Sequence, residues 1–317
     1  MHIPDGFIDG KTALISGALS ATGVAIALGQ VKRELPPRKI PLLGLAAAFL
    51  FAAQMVNFPV AGGTSGHLIG GALVAALLGP SAAVVVVTTV LIVQCFLFGD
   101  GGVTALGANI FNMAILNSVG GYFIYRAVSR GLGGIRGRVT ALAFAGWSAA
   151  VIASIACAGE LAYSGTVAWS AGFPAMAGTH MLIGIGEGLI SALVFLAIHR
   201  TRPEMITENG SASQPKSGVA LVGYGLLLTL GVAVFLAPFA CPWPDGLERV
   251  AAKLGFEHKA AAPLVHALAP DYQIPGMTWA VGATAIAGAV GCLVVFTLAF
   301  LLGRMLVPAK ASETTNP

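Results

Sequence analysis

Long apolar runs separated by short polar segments dominate the chain. A membrane-crossing helix needs about 20 predominantly apolar residues, and runs of that kind lie at about 12–30, 40–58, 81–98, 107–127, 139–160, 176–199, 218–238 and 277–303. A further run, 67–79, is only 13 residues long and ends at Gly79-Pro80. No segment shows the alternation typical of strands. The pattern predicts an all-α integral membrane protein built as a polytopic helical bundle.

The positive charges indicate that the short run also crosses. If it does, and if the N-terminus lies outside, the segments facing the cytoplasm hold 13 of the 17 Lys and Arg residues, as the positive-inside rule requires. These 13 are Lys32, Arg33, Arg38, Lys39, Arg126, Arg130, Arg136, Arg138, Arg200, Arg202, Lys216, Arg304 and Lys310. The sequence therefore predicts about nine transmembrane spans, a seven-span core plus a two-span hairpin, with the N-terminus outside.

Three regions follow from this topology. Residues 1–199 form the predicted seven-span core, and 200–217 are polar and rich in Pro, Gly and Ser, as a flexible cytoplasmic linker would be. Residues 218–317 contain the hairpin and a long connection, 239–276, which we call the outer loop. Within it, Asp245 and Glu248 have the spacing of a helix capping box, and Leu247, Val250, Ala251 and Leu254 would share one helical face ending at Gly255.

Composition excludes the soluble and disordered classes. Of 317 residues, 56% are hydrophobic and 9% are charged, whereas soluble proteins carry roughly 25% charged residues. The net charge of +4 is explained by orientation in the lipid bilayer, so we expect no nucleic-acid partner. The segment Gly6–Thr12 resembles a phosphate-binding loop but has three residues between its glycines instead of four. We therefore expect no ATPase site in this chain.

The start of the chain, Met1-His2, carries the first candidate site. No basic region or clean cleavage site of a signal peptide is present, so we expect Met1 to be the mature terminus. The Met1 amine, the His2 amide nitrogen and the His2 Nδ1 can close two adjacent chelate rings around one metal. Such a planar nitrogen set suits Ni(II) or Cu(II) better than zinc. The alternative is an exposed interfacial histidine.

His67 is the second candidate ligand. It ends the glycine-rich segment 57–67 at the outer end of the third predicted span, and the topology places it at the same membrane face as His2. Glycines allow another backbone segment to approach closely. The alternative is a loop histidine bound to a neighbouring carbonyl.

Polar residues within the predicted spans are candidates for support of this site. Ionisable groups inside a membrane are costly and commonly functional, although bonds between helices would also explain them. Pairs on one helical face are Gln54 with Asn57, Asn109 with Asn112, and His180 with Glu187. We expect possible supporting roles for Asn57, Ser65, Asn109, His180 and Glu187. His258 and His266 are predicted at the surface, and His199 at the cytoplasmic interface.

Small residues recur every fourth position in two helices, at Ala13, Gly17, Ala21 and Ala25 and at Gly44, Ala48 and Ala52. This spacing lets helices approach closely. It fits internal packing or docking to a separate membrane partner, and the sequence leaves both open.

Two segments resemble a known family. Met1-His2-Ile3-Pro4-Asp5-Gly6-Phe7, together with Asn57–His67, resembles the CbiM/NikM substrate-binding component of nickel and cobalt energy-coupling-factor (ECF) transporters, over roughly residues 1–199. Residues 218–303, with Pro244-Asp245-Gly246-Leu247-Glu248, resemble the small NikN-type component. The resemblance implies metal ligands at Met1, His2 and His67, nickel or cobalt as the transported substrate, and no organic cofactor.

The same resemblance implies the setting. The chain would be a multi-pass protein of the cell inner (plasma) membrane and would work as the capture subunit of an ATP-driven importer, not as an enzyme. Its partners would be a transmembrane coupling protein and ATP-binding-cassette subunits that hydrolyse ATP. Residues 218–303 depart from the pattern of CbiN, the corresponding component of cobalt systems, which favours nickel as the substrate. The alternative is cobalt, destined for cobalamin synthesis. The rival classes are an ion-coupled secondary transporter, for which Glu187 is the one candidate coupling carboxylate, and a membrane enzyme or metal sensor.

Overall fold

The computed structural model describes residues 1–203 and 218–307, and in them α-helices account for most of the chain. The helices are α1 Gly10–Glu34, α2 Ile40–Gln54, α3 Gly71–Leu78, α4 Pro80–Val93, α5 Leu106–Asn109, α6 Gly121–Leu132, α7 Gly134–Tyr163, α8 Trp169–Thr201, α9 Gly218–Phe235, α10 Gly246–Leu254 and α11 Ala280–Leu306. Wider π-helical turns follow α4 at Gln94–Phe98 and join α5 to α6 at Ile110–Gly120. The predicted helical bundle is confirmed.

Six helical segments of the described chain are long and apolar enough to cross a membrane: Gly10–Glu34, Pro80–Phe98, Gly134–Tyr163, Trp169–Thr201, Ala220–Phe239 and Ala280–Leu306. The predicted spans at 40–58 and 67–79 correspond to shorter helices of 15 and 8 residues. Eight residues of α-helix extend only about 12 Å, against a hydrocarbon core about 30 Å thick. The bundle is therefore that of a membrane protein, while nine crossings stay a prediction.

A short β-hairpin replaces part of the predicted helical pattern. Strand β1, Phe58–Val60, pairs antiparallel with β2, Thr64–Gly66. The turn between them uses positive φ at Gly62 and Gly63, which glycine adopts without a steric penalty. The expectation that no strand is present is wrong, because three-residue strands are too short to show a periodic pattern.

The hairpin also separates two residues predicted to share a helical face. Helix α2 ends at Gln54, so Asn57 lies in the connection to β1. Gln54 is buried and donates a hydrogen bond to the carbonyl of Ile69, 3.1 Å away. The predicted pair of Gln54 and Asn57 on one helix is therefore wrong.

Glycines bring helices α7 and α8 into backbone contact. A Cβ placed on Gly188 would lie 2.3 Å from the carbonyl oxygen of Ala143, a distance that real side chains do not occupy. Similarly, a Cβ on Gly107 would lie 2.5 Å from the Cα of Gly17 in α1. In α1, Ala21 and Ala25 are exposed. In α1, Gly17 therefore serves internal packing. For the exposed alanines, internal packing and docking to a membrane partner are both still open.

The outer loop folds around helix α10 as the capping box predicts. Asp245 Oδ1 accepts from the backbone N–H groups of Leu247 and Glu248 at 2.8 and 2.9 Å, and the Glu248 carboxylate accepts from the Asp245 N–H at 2.9 Å. Gly255 ends the helix with φ of 76°. The buried side chains Leu247, Val250 and Ala251 hold α10 against the core. Most of the predicted linker, 204–217, lies outside the described residues.

Candidate metal centre

The N-terminal segment is buried inside the bundle end that also carries the outer loop. Met1 is 4% exposed and Ile3 is fully buried. Asn109 clamps Ile3: its Oδ1 accepts from the Ile3 N–H at 2.8 Å and its Nδ2 donates to the Ile3 carbonyl at 3.1 Å. The Gly102 N–H donates to the same carbonyl at 2.9 Å. The backbone next to His2 is therefore fixed on both its donor and acceptor sides.

The same segment is held again at Asp5. One oxygen of its carboxylate accepts from the backbone N–H and the hydroxyl of Thr104, at 2.8 and 2.6 Å. From the other side, the N–H of Ala261 in the outer loop donates to the Asp5 carbonyl at 2.8 Å. Gly6 has φ of 90°, and a Cβ there would lie 2.4 Å from the Lys259 carbonyl. The segment is thus fitted between the core and the outer loop.

The Met1 amine lies next to His67. Its nitrogen is 3.1 Å from His67 Nε2, and because the amine donates, the Nε2 lone pair points at it. Two nitrogens at neighbouring corners of a square, each about 2.0 Å from a metal, are about 2.8 Å apart. The observed separation is close to that value, so both nitrogens can reach one ion with small movements.

His67 is positioned by the residues that follow it. The buried Glu187 carboxylate of α8 accepts from two consecutive N–H groups, those of Ile69 at 2.6 Å and Gly70 at 2.8 Å. On the other side, Ser65 of β2 donates its hydroxyl to the Trp243 carbonyl at 2.8 Å and its N–H to the Pro244 carbonyl at 2.8 Å. The histidine therefore stands between one anchor in the core and one in the outer loop.

His2 lies parallel to His67 and contacts two residues that follow α4. The two imidazole centroids are 5.5 Å apart with an interplanar angle of 17°. His2 Nδ1 is 3.0 Å from Asp100 Oδ1, and His2 Nε2 is 3.2 Å from Gln94 Oε1. A neutral imidazole donates from one nitrogen only, and Nδ1 faces the charged acceptor, Asp100, while Nε2 faces the Gln94 side-chain amide. Chelation requires Nδ1, so a metal at this site must displace the bond to Asp100.

Asp245 brings the charge of the outer loop into the site. Its Oδ1 caps α10, and its Oδ2 accepts a hydrogen bond from the Met1 amine in a buried ion pair. The capping role was predicted from sequence; the contact with Met1 was not. One carboxylate therefore connects the first turn of α10 with the leading amine.

These charges set the protonation of the site. Burial lowers the pKa of the Met1 amine, but the attraction and hydrogen bond of Asp245 outweigh it, and the pKa lies above its usual value. Burial and then the neighbouring ammonium hold the pKa of His67 well below its usual value. Burial likewise lowers the pKa of His2, against the attraction of Asp100. At neutral pH the imidazoles are therefore neutral and the amine carries the proton.

A small cavity adjoins the Met1 amine and His67. Its volume is about 10 Å³ and its lining includes His180, Glu187, Asp245 and Gly246, which leaves room for about one water molecule. The predicted common face of His180 and Glu187 is confirmed, since both line this cavity. His180 donates from Nδ1 to the Met176 carbonyl at 2.9 Å, leaving Nε2 on the cavity side.

The other predicted residues fall in different places. Asn57 contributes only its carbonyl, which accepts from the Cys241 N–H at 2.9 Å, and lies outside the cavity lining. Asn112 bonds Glu160 at 2.6 Å instead of the N-terminal segment. His258 and His266 are exposed, as predicted. Within the described residues, no three His, Cys, Asp or Glu side chains form a group that could hold a metal ion.

Sequence reasoning did not identify four residues around the site. Asp100 and Gln94 contact His2, Asp245 contacts Met1, and Tyr272 donates its hydroxyl to Asp100 Oδ2 at 2.6 Å. Asp100 had one usable signal, because an acidic residue beside Gly99 and Gly101 directly after an apolar run marks a tight turn at a membrane face. The others depend on contacts between distant parts of the chain.

Two family models together match most of the chain. Residues 2–205 match the family described as CbiM, cobalt uptake substrate-specific transmembrane region, and residues 219–308 match the PDGLE domain. The chain is 37% identical over 306 residues to a putative fused nickel transport protein NikMN of Archaeoglobus fulgidus, covering 96% of this chain and 98% of that protein. It is 30% identical over 276 residues to the cobalt transport protein CbiM of Geobacter sulfurreducens, covering 81% and 78%.

The fold also resembles an experimental structure. A crystal structure of a transition metal transporter superposes with a TM-score of 0.57 and 34% identity, over 63% of this chain and 93% of that one. With its CbiM region, its PDGLE domain and relatives named as nickel and cobalt transport proteins, the chain belongs to the CbiM/NikMN family of nickel and cobalt transport proteins.

Proposed function

We propose that this chain is the substrate-capture subunit of an ATP-driven nickel importer of the ECF type in the plasma membrane. It would bind Ni(II) in a square of four nitrogens: the Met1 amine, the amide and imidazole nitrogens of His2, and the imidazole of His67. The observation that carries the proposal is the 3.1 Å approach of the Met1 nitrogen to His67 Nε2, between two residues 66 positions apart.

The surroundings favour a nitrogen site at this point. The backbone around Ile3 is held by Asn109, and the backbone after His67 is held by Glu187, so the two ligand segments keep a fixed separation. Ligands positioned in advance bind with less loss of conformational freedom. Burial holds the pKa of both imidazoles below the usual value, which favours the neutral form that coordination requires.

Nickel is favoured over cobalt because a planar chelate with a deprotonated amide suits the tetragonal geometry of Ni(II). The fused relative of Archaeoglobus fulgidus is named for nickel transport, whereas the Geobacter sulfurreducens relative is named for cobalt. Equilibrium binding of the two ions to the same purified protein decides between them. Tighter binding of cobalt than of nickel would make cobalt the proposed substrate.

The decisive experiment blocks the leading amine. Two residues added before Met1 convert the amine to an amide, and the expected result is loss of nickel binding, matched by His2→Ala and His67→Ala. The same two residues added at the C-terminus, and His258→Ala at an exposed histidine, serve as controls that keep binding. Undiminished stoichiometric binding by the N-terminally extended protein would falsify the chelate.

Uptake assays separate the importer from a transporter that works alone. Import into cells or vesicles should require ATP together with a membrane coupling protein and ATPase subunits. Nickel uptake driven by this chain alone, through an ion gradient, would favour a secondary transporter with Glu187 as the coupling carboxylate instead.

A further inference from the structure

The His2 imidazole is connected to the outer loop through Asp100. Asp100 Oδ1 lies 3.0 Å from His2 Nδ1, and Asp100 Oδ2 accepts the hydroxyl hydrogen of Tyr272 at 2.6 Å. Asp100 follows α4, and Tyr272 belongs to the outer loop. Each carboxylate oxygen thus has one partner, and the two partners come from distant regions of the chain.

Tyr272 is built into this position. Its ring stacks on Phe98, with centroids 4.8 Å apart and an interplanar angle of 16°, and meets Phe51 edge-on at 6.0 Å. Asp271 and Tyr272 both have positive φ, 53° and 57°, a conformation uncommon in residues other than glycine. Such backbone is kept where the surroundings fix it. The packing therefore directs the hydroxyl at Asp100.

The chemistry makes this contact an alternative to metal binding. A nitrogen that donates a hydrogen to Asp100 has no lone pair for nickel, so the Nδ1 of His2 serves one or the other. Burial and the nearby Asp100 carboxylate raise the pKa of Tyr272 well above its usual value. The phenol therefore stays a donor and keeps Asp100 in place.

We propose that Asp100 and Tyr272 form a latch in which the outer loop, through Tyr272, positions Asp100 to withhold His2 Nδ1 from the metal. Nickel enters the square when this latch opens, so movement of the outer loop controls how fast the ion is captured. The inference rests on the proposed chelate, because it concerns one of that chelate's nitrogens.

The test is the rate at which nickel chloride binds the purified full chain in detergent, followed by the ligand-field absorption of square-planar Ni(II). Tyr272→Phe keeps the ring contacts and removes the hydroxyl. The expected result is an association rate about tenfold higher, the scale of one hydrogen bond to a charged group, with the dissociation rate unchanged. Tyr163→Phe, at a tyrosine 55% exposed at the end of α7, is the matched control and should bind at the parent rate.

Substitutions at Asp100 test whether the two residues act as one unit. Asp100→Ala should also accelerate association, and Asp100→Asn, which keeps an acceptor oxygen, should do so less. Because Tyr272 acts through Asp100, the double variant should match Asp100→Ala instead of adding to it. Slower or weaker binding in Asp100→Ala would overturn the latch, since it would make the carboxylate an attractor or ligand of the metal.

The outcomes also distinguish the latch from the chelate. If the N-terminal extension abolishes nickel binding while Tyr272→Phe and Asp100→Ala bind at the parent rate, the latch alone is wrong. If the extension leaves binding intact, the chelate is wrong and the latch is overturned with it. A rate increase confined to the Tyr272 and Asp100 variants supports both.

Discussion

Replacing Glu187 by glutamine tests how the core positions His67. The carboxylate accepts from two consecutive N–H groups at 2.6 and 2.8 Å and is fully buried. A glutamine keeps one acceptor oxygen and turns an NH₂ group toward the second N–H. One buried N–H then loses its partner, and hydrogen bonds to charged groups contribute about 1.5–3 kcal/mol.

The lost bond falls on Ile69 or Gly70, two or three residues after His67, so the imidazole loses part of its fixed position. Since a tenfold change in affinity corresponds to about 1.4 kcal/mol, nickel affinity should fall by about 10- to 100-fold, the usual range for residues that orient metal ligands. Competition against a calibrated chelator measures this change in the purified protein.

Glu160→Gln is the matched control. Glu160 is a half-buried carboxylate of α7 that accepts from Asn112 at 2.6 Å and touches neither ligand segment. Both variants should lower the thermal unfolding temperature, but only Glu187→Gln should lower nickel affinity. Parent-level nickel affinity in Glu187→Gln would refute the positioning role, and an equal loss of affinity in both variants would show that the effect is general destabilisation.

Three other predictions follow from the site. Apparent nickel affinity should rise with pH by about tenfold per unit for each proton displaced, because the Met1 amine has a raised pKa and must lose its proton to bind. Isothermal titration calorimetry in several buffers would measure the protons released. A nickel affinity that does not change between about pH 6 and 8 would contradict the prediction. Gly246→Ala puts a methyl group 2.7 Å from the His180 ring and should cost about 1–3 kcal/mol of stability, whereas Gly231→Ala, which meets open space, should not. Asn109→Ala removes both clamps on the N-terminal backbone and should weaken nickel binding by at least about tenfold, while Asn112→Ala keeps the affinity of the parent protein.

Local patterns predicted much of the framework. Apolar runs gave helices at nearly the predicted bounds, because a segment in lipid must satisfy its own backbone hydrogen bonds. The capping box at Asp245 and the stop at Gly255 also depend only on neighbouring residues. The distribution of Lys and Arg was enough to predict that His2 and His67 lie at the same membrane face. In the structure the centroids of their rings are 5.5 Å apart.

Contacts between distant segments could not be predicted in this way. The pairing of Asp100 with Tyr272 depends on a loop whose two consecutive positive φ angles leave no sequence signature, since neither residue is glycine. The short hairpin before His67 is likewise bound to a distant segment, since Ser65 donates its hydroxyl to the Trp243 carbonyl of the outer loop. The helix predicted over 67–79 begins only at Gly71; just before it, the Glu187 carboxylate of another helix accepts the N–H groups of Ile69 and Gly70.

The position of Asp245 links metal capture to the fold of the outer loop. One oxygen of its carboxylate caps α10, and the other forms an ion pair with the Met1 amine. A buried carboxylate that loses its cationic partner is destabilising. When nickel binds the Met1 nitrogen and displaces its proton, the Asp245 carboxylate must therefore be neutralised by the metal ion or move. Linkage is reciprocal: if nickel binding changes the energy of seating α10, then any partner that shifts α10 changes nickel affinity by the same factor. The capture role proposed above would need such a link, because a site of four nitrogens would bind its ion too tightly to release it unaided.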